Sequence, residues 1–437
     1  MNVSAQTNRI PTEVAQALVN PAVYATPKLH ETYRWLRANL PVGRAEVDGY
    51  DPFWVLTTHA DVQQVGRQNA LFRNGDRSPI LVDRASDDLV RRVTGGSPHL
   101  LRTLIHIDAP EHLKLRQLTQ SWFMPASIRK LEDRIRSIAR ATVRRMLERG
   151  PTIDFVNDVA LHYPLHVVME IMGVPEADEP LMLKLTQEIF SPLDPDLAPK
   201  IGMTSAAAAL GRALQATVAV FSEYFGKLSA QRRADPRDDL VSLIGNARID
   251  GQPLAPEVEM GYYVIVAAAG HDTTSSSTAG AIWALCERPE LLEQARTNPA
   301  LIPALVDEAI RWSTPVKHFM RTAAADTEVG GQPIAKGDWL MLCYASANRD
   351  ERVFDNPYEF RLDRGQNKHI GFGYGAHVCL GQHLAKMEMR ILFEELLPRI
   401  KSLQFEGTPM MSQACFVNGP KTLPIRFERD TARLGVD

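Results

Sequence analysis

The chain has 437 residues, of which 45% are hydrophobic and 23% are charged, as in a globular protein with a substantial core. Its formal net charge of −3 at pH 7 argues against a protein built around nucleic acid or an anionic membrane, because both favour a basic excess. Residues 1–16 contain no signal-peptide core, and no apolar run reaches the roughly 18 residues of a membrane span, so we expect a cytoplasmic protein.

Helical periodicity dominates the chain, and strand signals are short. Residues 1–30 carry no clear pattern, and we expect them to be irregular. The predicted strands are Phe53–Thr57, Thr327–Val329 and Trp339–Tyr344, with a turn at Gly330-Gly331. The predicted helices are Ala126–Leu147, Glu257–Cys286, Ala300–Trp312 and Cys379–Leu397. Asn348–Lys368, rich in Asp, Arg, Asn and Pro, should be an ordered but irregular meander. The pattern predicts a mainly α fold with small antiparallel sheets.

Four cysteines are present, at 286, 343, 379 and 415, and none forms a C-x-x-C pair. A disulfide framework or a structural zinc site is therefore not expected. Cys286, Cys343 and Cys415 are interpreted as small buried residues. Cys379 differs, because it follows a glycine-rich loop that lets the backbone turn tightly and approach a flat ligand. Amides at the start of the next helix would favour its thiolate, a ligand suited to haem iron.

The segment FGYGAHVCLG, residues 372–381, resembles the signature of the cytochrome P450 family, F-G-x-G-x-H-x-C-x-G, at every specified position. The resemblance implies one mostly helical, triangular domain with a small β-rich part, although length alone would suggest two or three domains. It also implies a monooxygenase with haem b. Cys379 would be the iron ligand, with Phe372, Gly373, His377 and Gly381 around the cofactor.

A second motif lies in the long predicted helix, at AAGHDTT, residues 268–274. Small residues at Ala269 and Gly270 would let a helix face approach a planar cofactor. The Thr273 hydroxyl can bond back to the Ala269 carbonyl or release to a water, and Asp272 beside it can pass protons inward. The resemblance makes this pair the family's acid and alcohol, which protonate reduced oxygen. Taken in isolation, the segment could equally be a packed polar turn.

Two sets of charged residues complete the resemblance. Glu308 and Arg311 share a helix face, which alone is typical of a surface pair; the family instead buries it with a meander arginine, here Arg364 in preference to Arg361. Cationic partners are expected for the two haem propionates. By resemblance these are His112, Arg116, Arg321 and His377.

The resemblance runs from about Tyr33 to Phe427 and is greatest to soluble bacterial members that oxidise terpene alcohols. It implies an apolar pocket for a monoterpenoid or a compact aromatic hydrocarbon, with O2 as co-substrate. The expected pocket residues, each of which could also be ordinary core, are Leu100, Leu101, Leu104, Ile105, Ile265, Ala268, Ala269, Val316, Phe319, Phe416 and Val417.

Electrons would come from NAD(P)H through a ferredoxin reductase and a 2Fe-2S ferredoxin. Cations near the cysteine side (Arg73, Lys114, Arg116 and Lys386) could attract such an acidic partner.

Three alternatives stay open at this point. A peroxide-driven peroxygenase would not need Asp272-Thr273, a haem sensor would need neither the relay nor the pocket, and a helical binding protein would hold no haem.

Overall fold

The computed structural model describes residues 8–190 and 206–430, and most of them are helical. The helices are α1 (Thr12–Val19), α2 (Pro21–Tyr24), α3 (Lys28–Asn39), α4 (His59–Arg67), α5 (Arg84–Val93), α6 (Glu111–Gln120), α7 (Pro125–Ile128), α8 (Glu132–Arg149), α9 (His162–Met172), α10 (Glu179–Phe190), α11 (Ala206–Ala234), α12 (Leu240–Gly245), α13 (Pro256–Ala269), α14 (Asp272–Glu287), α15 (Pro289–Thr297), α16 (Ile302–Ser313), α17 (Tyr344–Ala347) and α18 (Gln382–Leu396). The strands are β1 (Val42–Ala45), β2 (Phe53–Leu56), β3 (Phe72–Arg73), β4 (Thr152–Asp154), β5 (Arg248–Ile249), β6 (Gln252–Pro253), β7 (His318–Ala323), β8 (Thr327–Val329), β9 (Gln332–Ile334), β10 (Trp339–Cys343), β11 (Ile400–Phe405), β12 (Met410–Met411), β13 (Pro420–Thr422) and β14 (Pro424–Arg429). No helix in these two ranges combines the length and apolarity that crossing a bilayer requires.

Helices α8, α14, α16 and α18 pack together at the centre of the helical body. In α8, Ile135, Ala139, Val143 and Met146 recur at three- or four-residue steps and are buried, whereas most of its arginines are exposed. This amphipathic pattern buries one face of the helix in the core. The single helix predicted for Ala126–Leu147 is divided by a 3-10 turn into α7 and α8.

The long helix predicted for Glu257–Cys286 is broken into α13 and α14, with Gly270 and His271 between them. Helix α9 crosses closely here, so that a Cβ on Gly270 would lie 2.6 Å from a methyl group of Val168. Glycine is therefore required at the crossing, and it also weakens the helix at that point. The break lies at the motif that was predicted to be functional.

The largest sheet has the order β1-β2-β10-β7-β3. The expectation of purely antiparallel sheets is wrong here, because β2 and β10 pair in parallel. The sheet is covered on both faces. Trp339, Met341 and Cys343 pack against the N-terminal helices, and Leu340 and Leu342 pack with residues of α4 on the other side. The predicted mainly α fold with small sheets is otherwise confirmed.

The N-terminal segment is the main correction to the predicted elements. Residues 1–30 were expected to be irregular, but α1, α2 and the first residues of α3 lie there, while residues 1–7 are outside the described ranges. Ala15 and Leu18 are fully buried in the same cluster as the sheet residue Val55. The sheet face that stabilises these short helices is formed by segments distant in sequence, so no local pattern indicated it.

Two smaller expectations are confirmed. Strands β8 and β9 are joined by a turn in which both Gly330 and Gly331 have positive φ, 56° and 76°, a conformation that glycine adopts without steric cost. Residues 348–374 contain no helix or strand, as expected for an ordered meander.

Candidate active site

A large interior cavity is lined by α6, α13, α14, the segment entering β7 and the loop before α18. It collects most of the predicted catalytic, cofactor and pocket residues: Leu104, Ile105, His112, Arg116, Ile265, Ala269, Thr273, Val316, Phe319, Arg321, Phe372, Gly373, His377, Cys379, Gly381, Phe416 and Val417. Four predicted residues lie off the cavity wall: Leu100, Leu101, Ala268 and Asp272.

The cysteine loop is a tight backbone structure packed against α4. Gly375 has φ of 79°, and a Cβ there would overlap the Gly66 carbonyl oxygen. The Cys379 amide donates to the Phe372 carbonyl oxygen at 2.8 Å, closing the loop on itself. Helix α18 begins at Gln382, so the helix start predicted at Cys379 is too early.

The Cys379 sulfur faces the cavity. Cys379 has solvent-accessible surface although it lies deep inside the protein, because this surface is part of the cavity wall. Burial raises the pKa of the Cys379 thiol, while the amides of Gly381 and Gln382 and the nearby Arg116 partly oppose this increase. The amides therefore point towards the sulfur as expected, but they do not outweigh burial. Such a thiol ionises when it coordinates a metal ion.

Two arginines enter the same cavity without a carboxylate partner. Within the described residues, neither Arg116 nor Arg321 makes an ion pair with Asp or Glu; Arg321, only 4% exposed, donates from Nη1 to the Met320 carbonyl oxygen at 2.7 Å. Burial lowers the pKa of both guanidinium groups. An interior cation without a counterion is costly, so this end of the cavity favours an anionic ligand.

Two histidines accompany these arginines. The rings of His112 and His377 lie 4.0 Å apart between centroids. Burial and the nearby arginines lower the pKa of His112 to about 4 and that of His377 to about 2, so both rings are neutral at physiological pH. His112 Nδ1 and His377 Nε2 have no hydrogen-bond partner among the residues that the structure describes. Neutral rings with unused nitrogens can donate hydrogen bonds to a bound carboxylate.

This donor set fits the haem that the sequence predicted. Cys379 offers a sulfur ligand to iron, and the two arginines and two histidines offer cationic and hydrogen-bonding partners to propionates. Gly373 lines the cavity without side-chain bulk, and Gly375 lets the loop pack against α4. The fit depends on two arginines without a carboxylate partner and two histidine nitrogens without a hydrogen bond, within the described residues.

The break between α13 and α14 presents the acid and the alcohol differently. Thr273 lines the cavity, and its hydroxyl donates to the Ala269 carbonyl oxygen at 3.1 Å. Asp272 lies behind it, 14% exposed, with Oδ1 3.1 Å from Nε2 of His271. The two residues are adjacent as predicted, and only the alcohol reaches the cavity.

The helical part of the pocket follows one stripe of α13. Ile265, Val266 and Ala269 line the cavity and lead to Thr273. Ala268 was predicted to line the pocket, but it is buried in the protein interior and does not. At 100° per residue it lies on the opposite side of Ile265 from Ala269, which turns it away from the cavity.

Aromatic and aliphatic side chains form the remaining pocket wall. Phe319 and Phe416 meet edge to face at 5.2 Å between ring centroids, and Val316 and Val417 form an isolated antiparallel bridge. Leu104 and Ile105 also line the cavity, whereas Leu100 and Leu101, which were expected there, do not.

Asn74 and Tyr344 are among the polar wall residues that the sequence analysis missed. Asn74 is buried and donates from Nδ2 to the Ile105 carbonyl oxygen at 2.9 Å, and its Oδ1 accepts no hydrogen bond from the described residues. Tyr344 lines the cavity, and the nearby Arg321 guanidinium partly opposes the increase that burial causes in the pKa of the Tyr344 hydroxyl. Asn74 follows the two-residue strand β3, which gives no usable local signal, whereas Tyr344 ended a predicted strand and only the pairing of β10 with β7 brings it to Arg321.

The paired ions are buried, as the family resemblance implied. Glu308 and Arg311 are both fully buried and join at 2.7 Å, and Arg364 Nε lies 2.8 Å from Glu308 Oε1. Arg361 contributes its main-chain amide to Glu308, while its side chain pairs with Asp363. Arg364 is therefore the third member of the cluster.

The cations expected to attract an acidic partner do not form a free patch. Arg116 lies in the cavity. Lys114 pairs with Asp250 at 2.5 Å, Lys386 with Asp307 at 2.7 Å, and Arg73 lies 3.4 Å from Asp76 and 3.6 Å from Asp108. Three of these cations are therefore paired with carboxylates at the surface, and their role towards an acidic partner stays a prediction.

Comparisons with known proteins identify the family to which the chain is similar. The family model described as Cytochrome P450 matches residues 78–425. Cytochrome P450-terp of Pseudomonas sp is 50% identical over 421 residues, covering 96% of this chain and 98% of that protein. Linalool 8-monooxygenase of Pseudomonas putida is 32% identical over 416 residues, covering 93% and 98%. The crystal structure of CYP108D1 from Novosphingobium aromaticivorans superposes with a TM-score of 0.89 at 44% identity, covering 96% and 99%.

Proposed function

Because the chain belongs to the cytochrome P450 family, we propose that this monooxygenase inserts one oxygen atom of O2 into a C–H bond of a small apolar substrate. The second oxygen atom leaves as water, and each turnover consumes two electrons and two protons. The electrons come from NAD(P)H through a ferredoxin reductase and a 2Fe-2S ferredoxin in the cytoplasm. The observation that carries the proposal is the Cys379 sulfur in one cavity with the unpaired Arg116 and Arg321.

Haem b is the proposed cofactor. Cys379 binds its iron, Arg116, His112, Arg321 and His377 hold its propionates, and Ala269, Phe372, Gly373 and Gly381 surround it. When bound, the group supplies an iron centre at which O2 is reduced and cleaved. The protein contributes the sulfur, the counter-charges and an apolar enclosure that excludes water.

Asp272 and Thr273 are the proposed proton path. The Asp272 carboxylate is partly exposed and takes up a proton, while the Thr273 hydroxyl lies in the cavity wall. The hydroxyl now donates to the Ala269 carbonyl oxygen, and rotation about one side-chain bond releases it towards the cavity. The pair thus connects a solvent-accessible acid to an interior donor.

The proposed substrate is a monoterpenoid, with a compact aromatic hydrocarbon as the second candidate. The likeness to cytochrome P450-terp and to linalool 8-monooxygenase supports the first. The edges and faces of Phe319 and Phe416, with Leu104 and Ile265, form an apolar wall suited to either compound. Such a wall selects by shape and apolar area rather than by ionic contacts.

A carbon monoxide difference spectrum of the reduced protein tests the haem-thiolate assignment. Wild type should give the haem-thiolate absorption, Cys379→Ala should lose it, and Cys415→Ala, a matched control at a half-buried cysteine, should keep it. Retention of the band in Cys379→Ala would refute the site.

Titration with linalool, α-terpineol and naphthalene tests the substrate. A monoterpenoid that displaces water from the ferric iron should shift the Soret band to shorter wavelength, and no shift from either compound type would refute the pocket assignment. Turnover with NADH, reductase and ferredoxin should exceed turnover with hydrogen peroxide; the reverse would indicate a peroxygenase.

A further inference from the structure

His271 occupies the break between α13 and α14 and is fully buried. Its Nε2 lies 3.1 Å from Oδ1 of Asp272 and 3.3 Å from Oγ1 of Thr186. Thr186 is itself fully buried, in α10. One imidazole nitrogen therefore lies between the acid at the start of α14 and a hydroxyl on another helix.

This contact depends on the helix break. Consecutive residues of a regular helix point about 100° apart and do not face each other. At His271 the backbone angles are −106° and −47°, and its ring reaches the carboxylate of the next residue. Of the described side chains, only His271 is within hydrogen-bond distance of the Asp272 carboxylate.

The hydrogen-bonding roles specify where the imidazole proton lies. The Thr186 hydroxyl donates to the Met182 carbonyl oxygen at 2.9 Å, so it can only accept from His271. An ionised Asp272 also only accepts. Both contacts therefore require the proton on Nε2. His271 Nδ1 has no partner within the described residues, so nothing there competes for the proton.

We propose that His271 is a positioning residue that fixes the Asp272 carboxylate through Nε2–H and connects it, through Thr186, to helix α10. The proposal rests on the proposed function, since it gives Asp272 the role of proton donor to Thr273. Without the imidazole, the carboxylate rotates freely at the start of α14 and spends less time in the orientation that serves Thr273. Electrons are then lost to reduced oxygen species instead of forming product.

A matched pair of substitutions tests this. The Gln side-chain nitrogen is separated from Cα by as many bonds as His Nε2, so His271→Gln keeps a donor at that position, whereas His271→Leu has similar bulk and none. With linalool, NADH, reductase and ferredoxin, the product formed per NADH should fall about tenfold in His271→Leu, as for lost orienting partners elsewhere. It should stay within about threefold of wild type in His271→Gln.

Thr186→Val removes only the link to α10 and should cause a smaller loss. Thr278→Val is the control, because it deletes a buried α14 hydroxyl that has no hydrogen-bond partner among the described residues. This variant should form as much product per NADH as wild type. Each variant is compared only if its reduced carbon monoxide spectrum matches that of wild type.

A spectroscopic measurement supplies an independent result. In ¹⁵N-histidine-labelled protein, reduced and carbon monoxide-bound so that it is diamagnetic, the signals absent from His271→Gln belong to His271. Nε2 should carry the proton. A proton on Nδ1 alone would overturn the proposal. The proposal would also fail if His271→Leu formed as much product per NADH as wild type, or if His271→Gln formed no more product per NADH than His271→Leu.

The outcomes separate the two hypotheses. If wild type oxidises no monoterpenoid, the substrate proposal fails, while the ¹⁵N result still decides the position of the proton. If His271→Leu binds no haem, two other comparisons of product formed per NADH decide the positioning role. These are His271→Gln with wild type, and Thr186→Val with Thr278→Val. If product formed per NADH is equal within each of those pairs, and the proton is not on Nε2, the positioning role of His271 is overturned.

Discussion

The buried Glu308 cluster should be the most sensitive part of the structure beneath the cysteine loop. Glu308 accepts from Arg311 at 2.7 Å through both oxygens and from Arg364 at 2.8 and 2.9 Å. Asn367 and the Arg361 amide add bonds of 3.1 and 2.9 Å. One carboxylate thus compensates two guanidinium groups in the interior. Among the described residues, no other acidic side chain pairs with Arg311 or Arg364.

Glu308→Gln keeps the shape of the side chain but removes its negative charge. It also places an NH2 group, which can only donate, against the guanidinium donors of Arg311 and Arg364. Breaking a buried ion pair by removing one partner typically costs about 3–5 kcal/mol, and here two cations lose their counterion. We therefore expect the free energy of unfolding to fall by about that amount, a large fraction of the roughly 5–15 kcal/mol that stabilises a typical protein.

Urea unfolding of the haem-bound protein, followed by tryptophan fluorescence, measures this loss. Arg364→Met leaves the neutral Glu308–Arg311 pair in place and should cost about 1.5–3 kcal/mol, the range for hydrogen bonds to charged groups. Arg361→Met, in the same meander but with its side chain at the surface, should unfold like wild type. The reasoning would be refuted if Glu308→Gln lowered the free energy of unfolding by less than about 1 kcal/mol with an unchanged dependence on urea concentration. It would also be refuted if this decrease were no larger than that of Arg361→Met.

Three further predictions concern the cavity, the loop and a buried lysine. Arg321→Leu should weaken haem retention about 10- to 100-fold in a transfer assay to apomyoglobin, yet leave the haem-free protein at least as stable, because an unpaired interior charge is removed. Gly375→Ala should abolish haem incorporation because the new methyl group overlaps backbone, whereas Gly365→Ala, with positive φ but open space, should lose only about 1 kcal/mol in unfolding. Burial lowers the pKa of Lys317 to about 7 from 10.5, so the unfolded chain binds more protons between these values. Stability of wild type relative to Lys317→Met should therefore rise from pH 7 to pH 10 in unfolding titrations, and a flat or falling difference would contradict this.

Local sequence patterns predicted those parts of the site that lie on one segment. The cysteine loop combines glycines and Cys379 in ten residues, and Glu308 and Arg311 are one helical turn apart. Arg364 followed from the family resemblance, and the structure places it at Glu308. That the chain forms one domain remains a prediction.

Parts of the site that depend on distant segments could not be predicted from local patterns. Asn74 and Thr186 reach the site from a loop and from α10, and nothing in their neighbourhoods marks them. The helix break at Gly270 was missed because the helical period continues on either side of it. The close crossing by Val168, which requires the glycine, is a tertiary contact.

Charge pairing explains why the sequence placed Arg116 in two incompatible roles, as a haem ligand and as part of a docking surface. Residue type does not distinguish a surface cation from an interior one, but the partners do. Arg73, Lys114 and Lys386 each lie within 4 Å of a carboxylate at the surface, where pairing contributes little. Arg116 and Arg321 lie in the interior and have no carboxylate partner in the described part of the chain, and an unpaired charge is costly there. A fold retains that cost only where a ligand removes it, so the unpaired arginines mark the cofactor site more reliably than the total charge of the chain.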